Sequence, residues 1–137
     1  TDEFLVKDNR SDYQIVMPNE PDSYVVTARE ELTNLFLQAT GVPLNTINED
    51  IVGLEHNSQN KYISLGKTKL FESAFPEFDD SSLKSQSARI LTKDKSLYLY
   101  GGDSSGVLFA VYDLLEILFD FVSLLQHFHY SICFVYQ

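Results

Sequence analysis

Two carboxylates in the C-terminal half of the chain are the first residues to weigh for catalysis. Asp113 and Glu116 are three positions apart, so a helix would place them side by side on one face. A glycosidase also uses two carboxylates, but it holds them across the sugar that is cleaved. Neighbours on one exposed helix face do not span a substrate in this way, and we predict no catalytic role for them.

Residues 101–106 form a glycine-rich segment in front of a predicted helix. Backbone N–H groups at a helix N-terminus can bind phosphate, which makes this segment a candidate anion site. Its glycines follow neither the phosphate-binding-loop pattern nor the full dinucleotide-binding pattern. A turn that packs a helix closely on a strand is the favoured interpretation, and we predict no cofactor site.

His127, His129 and Cys133 are residue types that bind zinc. On an extended strand their side chains would point to the same side, but Cys133 would lie about 13 Å from His129 at the usual rise per residue. The sequence supplies no evident fourth ligand. We therefore interpret these residues as half-buried strand positions and predict no metal site.

The remaining polar candidates also have simpler interpretations. Ser64 and Ser104 lack the motif and the placed histidine that a serine nucleophile needs. Tyr98 and Tyr100 could stack on a sugar, but alternating positions on a predicted strand favour the core or a sheet face. The acidic pairs at positions 49–50 and 79–80 are interpreted as solvated loop charges.

The composition limits the classes of partner. The chain has 137 residues, enough for one domain with a core, and its formal net charge is −10. A surface this acidic repels phosphate backbones and anionic lipid headgroups, so we predict neither a nucleic-acid partner nor a membrane partner. Cys133 is the only cysteine, which excludes a disulfide within the chain.

One amphipathic helix is indicated clearly between two turn signals. Asp22 or Ser23 can cap its N-terminus, and Gly41 followed by Pro43 ends it. Apolar side chains recur at steps of three and four and form one face. They are Val25, Ala28, Leu32, Leu35, Phe36 and Ala39.

The other segments predict a sheet and a second long helix. Strands are expected at 13–17, 44–47 and 62–66, with a helical turn at 67–73 and an exposed acidic loop at 75–85. A hairpin follows, with arms at 87–92 and 96–100. The second helix begins at Asp103 or Ser104 and has a broad apolar face and a narrow polar stripe, which Asp113, Glu116 and Asp120 form. We therefore predict an α+β fold, in which two main helices pack on a mixed β-sheet.

The two ends of the chain differ from this middle part. Residues 1–12 are predicted to be a flexible lead or an edge strand. The tail, 120–137, has no charged residue after Asp120, and from Phe128 it alternates as a strand does. The tail has three alternative interpretations: a membrane span, a sheet strand, or an exposed segment that promotes self-association. The last two are favoured because the tail contains Gln126, two histidines and this alternation.

Three segments together resemble the non-catalytic N-terminal domain of glycoside hydrolases, including β-N-acetylhexosaminidases and α-glucuronidases. They are the helix from 28 to its end at 39–44, the strand at 63–68, and the stretch at 97–116. The third is the most specific: a strand, a glycine turn, Gly106 one turn into the helix, and then an aromatic-Ala-x-Tyr-Asp-x-Leu-Glu run. The resemblance covers roughly residues 13–119.

The resemblance implies a single accessory domain over residues 1–137 that supports a catalytic (β/α)8 barrel or another protein and is not itself an enzyme. In such enzymes the barrel carries the catalytic carboxylates, and it needs about 250 residues. An extracellular or cell-envelope location is implied in the same way. The alternative is a free-standing module that binds carbohydrate or protein. After Leu118 the chain departs from the Gly-x-Arg-Trp-like strand of that family.

Overall fold

The computed structural model of the chain describes residues 5–51, 53–119 and 134–136. Its strands are β1 (Gln14–Met17), β2 (Asn45–Asn48), β3 (Tyr62–Leu65), β4 (Ala88–Lys93), β5 (Ser96–Gly101) and β6 (Phe134–Tyr136). Its helices are α1 (Ser23–Thr40), α2 (Lys69–Ala74) and α3 (Ser104–Phe119). The predicted α+β fold is confirmed, with α1 and α3 as the two main helices.

The strands form one mixed sheet in the order β2-β1-β3-β5-β4-β6. The first four strands in this order run parallel, with Ile15 opposite Ile63 and Ser64 opposite Tyr98. β4 pairs antiparallel with β5, and β6 pairs parallel with β4. The carboxyl ends of β1, β3 and β5 therefore meet at one edge of the sheet.

Helix α1 begins and ends at the residues that the sequence indicates. The side chain of Asp22 accepts a hydrogen bond from the backbone N–H of Val25 at 3.1 Å, which satisfies an N–H group that has no partner within the helix. Gly41 ends the helix in the left-handed conformation with φ 74° and donates its N–H to the carbonyl of Leu37.

The two faces of the sheet are covered differently because alternate strand residues point to opposite sides. Helices α1 and α3 cover one face, where Ile15, Ile63 and Leu99 join the larger core. The short α2 and the loop after it cover the other face, where Tyr98 and Tyr100 lie in a smaller, aromatic core. The prediction that both tyrosines lie in the core or on a sheet face is confirmed.

The loop predicted to be exposed at 75–85 is in part buried. Phe75 is 9% exposed, and Phe78 and Leu83 pack against the aromatic core. The ring of Phe71 in α2 lies 5.5 Å from that of Phe75 and 5.4 Å from that of Phe78. Acidic and serine residues suggest a solvated loop here, but its aromatic rings cover the face of the sheet that lacks a long helix.

The two ends of the chain are described only in part. In the predicted lead, Lys7 and Arg10 exchange backbone hydrogen bonds of 2.9 and 3.2 Å, and Leu5 and Val6 pack against the larger core. In the tail, β6 occupies the last part of the predicted strand. The rest of the tail, with His127, His129 and Cys133, lies outside the described residues.

Candidate functional site

A crevice lies at the carboxyl ends of β1, β3 and β5, where α3 begins. The connection from β1 leads to β2 on one side, whereas β3 lies on the other side of β1. Ligands of open α/β sheets bind at such a switch point, so this crevice is the first place to look for a site. The cavity has a volume of about 230 Å³, and its lining includes Pro18, Gly66, Lys67, Gly102, Asp103 and Ser104.

The glycines at this edge allow the helix and the strands to approach closely. A Cβ atom on Gly106 would lie 2.1 Å from the carbonyl oxygen of Ser87 and 2.8 Å from the Cα of Gly101. A Cβ atom on Gly102 would lie 1.9 Å from the carbonyl oxygen of Lys84. These distances are far below van der Waals contact. The glycines are therefore required for packing, as the sequence predicts.

The carboxylate of Asp103 already binds the donors at the start of α3. Its Oδ1 accepts from the hydroxyl of Ser105 at 2.5 Å and from the backbone N–H groups of Gly106 and Gln86 at 3.2 and 3.3 Å. Its Oδ2 accepts from the hydroxyl of Ser85 at 2.5 Å. The hydrogen bonds from the serine hydroxyls and from the backbone lower the pKa of Asp103 to about 2.

This arrangement argues against a phosphate at the helix N-terminus. Asp103 is ionised at neutral pH, and its negative charge stands where the anion would bind. The N–H of Gly102 is also used, because it donates to the carbonyl of Ser87 at 3.1 Å. A protein carboxylate thus takes the position and the helix-end donors that a phosphate-binding loop leaves for its ligand.

Three polar side chains, linked by hydrogen bonds, lie on the other face of the sheet, and no sequence motif indicates them. The hydroxyl of Tyr98 lies 2.5 Å from Nδ1 of His56, and Nε2 of His56 lies 2.8 Å from Oδ2 of Asp94. A carboxylate only accepts, so Nε2 carries a hydrogen and donates to Asp94. These three side chains link the loop before β3 to the β4–β5 turn.

Burial decides what this Tyr–His–Asp chain can do. Tyr98 is 0% exposed, and its burial, together with the charge of Asp94, raises the pKa of its hydroxyl further above neutral. A nucleophile must be reachable and readily deprotonated, and this hydroxyl is neither. The three side chains therefore act as a cross-link between loop and hairpin.

Glu49, interpreted from the sequence as a solvated loop charge, is buried. Its two oxygens accept from the backbone N–H groups of Asn19 at 2.6 Å and Lys69 at 2.7 Å. Asn19 follows β1, and Lys69 opens α2, so one carboxylate joins three segments near the carboxyl edge of the sheet. The prediction that Glu49 is a solvated charge is wrong. The two N–H groups that it binds are 30 and 20 residues away along the chain, where no local pattern indicates them.

Asp113 is the second correction among the carboxylates. It is 4% exposed, whereas the helical pattern places it on an outward polar stripe. Helix α3 packs on the sheet and against α1, which leaves only its last turn exposed and covers Asp113. Glu116 is half-buried. The two do not form an exposed pair, and Tyr112 and Leu115 are buried.

The other candidates fall into structural positions. The hydroxyl of Ser64 is buried at 2.7 Å from that of Thr68, which caps α2. Asp80 accepts from the hydroxyl of Tyr100 at 2.6 Å, so it is not only a solvated charge. Among the described residues, no group of three or more histidine, cysteine or acidic side chains could hold a metal ion.

No protein-family model matches the chain, and no curated protein sequence is significantly similar to it. Within 5–51, 53–119 and 134–136, no helix combines the length and the apolar character needed to cross a membrane.

Proposed function

We propose that the chain is a non-catalytic accessory domain of a carbohydrate-active enzyme, which supports a catalytic barrel or another protein. The observation that carries this proposal is the use of residues 97–106, part of the segment with the most specific resemblance. Gly101, Gly102 and Gly106 serve the approach of α3 to the sheet, and Asp103 binds the donors around them. A packing role of this segment is what a non-catalytic domain requires of it, and this role supports the proposal.

The exposed end of α3 is the surface that would meet the partner domain. Ile117 is 53% exposed and Leu118 is 37% exposed. Both line a cavity of about 280 Å³ together with Leu5, Leu97 and Leu114, most of whose lining is apolar. Contiguous apolar surface of this kind is typical of sites that bind another protein.

The alternative of a free-standing carbohydrate-binding module has less support. Such a module would offer flat aromatic rings to the sugar, yet the rings of Phe71, Tyr98 and Tyr100 are 7% exposed or less. Tyr24 is the one large aromatic residue among the strongly exposed apolar side chains of the described residues. The described part of the chain therefore presents no aromatic platform.

The test begins with the DNA downstream of residue 137, which we expect to encode a barrel with paired carboxylates. Both the full-length product and the barrel alone are then assayed for thermal stability and for hydrolysis of aryl glycosides. We expect the full-length protein to be the more stable, and Ile117→Glu to remove much of that difference. Ile51→Glu is the matched control, because Ile51 is about as exposed as Ile117, at 49%, but lies on another part of the surface. Ile51 is near the carboxyl end of β2, whereas Ile117 lies beside the amino end of β5.

Two results would contradict the proposal. One is hydrolysis of an aryl glycoside by the purified chain itself that a single carboxylate substitution abolishes. The other is a barrel whose stability and activity do not depend on this domain. Equal effects of Ile117→Glu and Ile51→Glu would place the docking surface elsewhere and refute the surface named above.

A further inference from the structure

The chain contains one acceptor signal for N-linked glycosylation, near its N-terminal end. Asn9 is followed by Arg10 and Ser11, which matches the pattern of asparagine, any residue except proline, and then serine or threonine. The chain has seven asparagines, and Asn9 is the only one with this pattern. Asn45 and Asn57 are each followed directly by a hydroxyl residue, which is one position too early for the signal.

The structure places Asn9 at the tip of a tight turn. Lys7 and Arg10 pair through backbone hydrogen bonds, and Asp8 and Asn9 between them have φ angles of 55° and 62°. Asparagine and aspartate tolerate this left-handed region better than other residues that carry a side chain. All four residues are exposed, so a bulky group attached to Asn9 would extend into solvent.

The side-chain amide of Asn9 takes no part in holding the fold. Within 5–51, 53–119 and 134–136, it has no hydrogen-bond partner. By contrast, the side chain of Asn57 accepts from a backbone N–H group at 2.8 Å, and that of Asn60 donates to Tyr62 at 3.0 Å. A modification of Asn9 therefore breaks none of the contacts made by the described residues.

Ser11 supplies the hydroxyl group that the signal requires. Its Oγ accepts from the backbone N–H of Tyr13 at 3.2 Å, and a hydroxyl that accepts in this way keeps its own hydrogen for a second partner. Ser11 lies between the exposed tip of the turn and the first strand, and it is half-buried. The amide and the hydroxyl thus flank a single exposed residue, Arg10.

We infer that Asn9 accepts an N-linked oligosaccharide when the chain enters a secretory compartment. The donor is an oligosaccharide carried on a lipid diphosphate. A bond forms between Nδ2 of Asn9 and C1 of the first sugar, and the bond from that C1 to the phosphate oxygen breaks. The lipid diphosphate leaves with the electron pair of the broken bond, and the amide releases one proton. The step needs no oxidant and no reductant.

The inference goes beyond the accessory role and does not depend on it. Glycosylation is measured on this chain alone, whereas the accessory role is measured on a catalytic domain. Either can therefore fail while the other stands.

The experiment translates the full chain behind a cleavable secretion signal in the presence of eukaryotic microsomes. Protection of the product from added protease identifies the molecules that have reached the lumen. We expect these molecules to carry one oligosaccharide, seen as a single increase in mass that a peptide N-glycosidase removes. A protected chain without this increase in mass overturns the inference.

Substitutions then locate the acceptor. We expect Asn9→Gln and Ser11→Ala each to abolish the increase in mass, and Ser11→Thr to retain it, since threonine keeps the hydroxyl group. Asn57→Gln is the matched control, because Asn57 is next to a serine but outside the signal, and this variant should be glycosylated as the unmodified chain is. An increase in mass that persists in Asn9→Gln would assign the oligosaccharide to another residue and refute the inference.

The position of Asn9 in the fold is tested on the glycosylated chain secreted from cultured eukaryotic cells. Because Asn9 is exposed, we expect the glycosidase to release the oligosaccharide without prior denaturation. Because the amide has no partner among the described residues, we expect the glycosylated and the enzyme-treated chains to unfold at the same urea concentration. Release only from denatured chain, or a lower midpoint in the glycosylated form, would contradict the exposed, unpaired amide.

Discussion

Replacing Gly106 by alanine tests whether the glycine motif is a packing device. The new Cβ atom would lie 2.1 Å from the carbonyl oxygen of Ser87 and 2.8 Å from the Cα of Gly101, and both are backbone atoms that cannot rotate away. Helix α3 would have to move away from the sheet. Such overpacking costs about 1–3 kcal/mol.

Two further contributions to the free energy of unfolding of this variant nearly cancel. Alanine is a better helix former than glycine by about 1 kcal/mol, which favours the variant. Moving the carbonyl of Ser87 strains the hydrogen bond that it accepts from the N–H of Gly102 at 3.1 Å, a loss of about 1 kcal/mol. The net expectation is a loss of about 1–3 kcal/mol in the free energy of unfolding, from the overpacking cost that remains.

The assay is urea unfolding followed by far-ultraviolet circular dichroism. With a denaturant dependence of about 2 kcal/mol per molar urea, the midpoint should fall by about 0.5–1.5 M. Gly41→Ala is the control, because a Cβ atom there meets nothing within 4 Å and the cost comes only from its φ of 74°. A Gly106→Ala variant as stable as the unmodified chain would refute the packing argument.

Three further predictions concern the polar residues. The pKa of Asp103 is lowered to about 2 in the folded chain, so its ionised form contributes stability above the unfolded pKa of about 4, and this contribution is lost as pH falls from about 4 to 2. The urea midpoint of unfolding should therefore fall less over this pH range in Asp103→Asn than in the unmodified chain. An equal fall in both proteins would exclude the effect. Tyr98→Phe and His56→Ala should each destabilise by about 1–2 kcal/mol and by less than their sum when combined, as measured by a double-mutant cycle, because they share one hydrogen bond. Glu49→Ala should cost about 1–3 kcal/mol by leaving two backbone N–H groups unpaired, and Asp50→Ala, at an exposed neighbour, should cost little in the same urea assay.

Local patterns in the sequence predict most of the elements. Helix α1 needs only its cap at Asp22, its apolar spacing and Gly41, all of which lie within about twenty residues. The hairpin needs two strand-forming arms and a turn of two residues. Each of these signals acts through bonds and contacts between neighbours in the chain, which periodicity reports directly.

The residues whose surroundings the sequence does not predict correctly depend on contacts between distant parts of the chain, which periodicity does not report. His56 meets Tyr98 across 42 positions, and Glu49 meets Asn19 across 30. Asp113 satisfies the helical pattern of an outward residue, yet the packing of α3 on both the sheet and α1 buries it. A cavity of about 370 Å³ likewise lies between α2, the loop after it and the end of β5, and no single motif indicates it.

The arrangement of β4, β5 and α3 has a consequence for how the chain folds. These three elements are consecutive, span 88–119, and pack on one another through a two-residue turn and the contact between Gly101 and Gly106. Pairing β1 with β3 instead requires closing a loop of more than forty residues. Since short loops close at a lower entropic cost, we expect the C-terminal hairpin and helix to nucleate folding and the parallel strands to add afterwards.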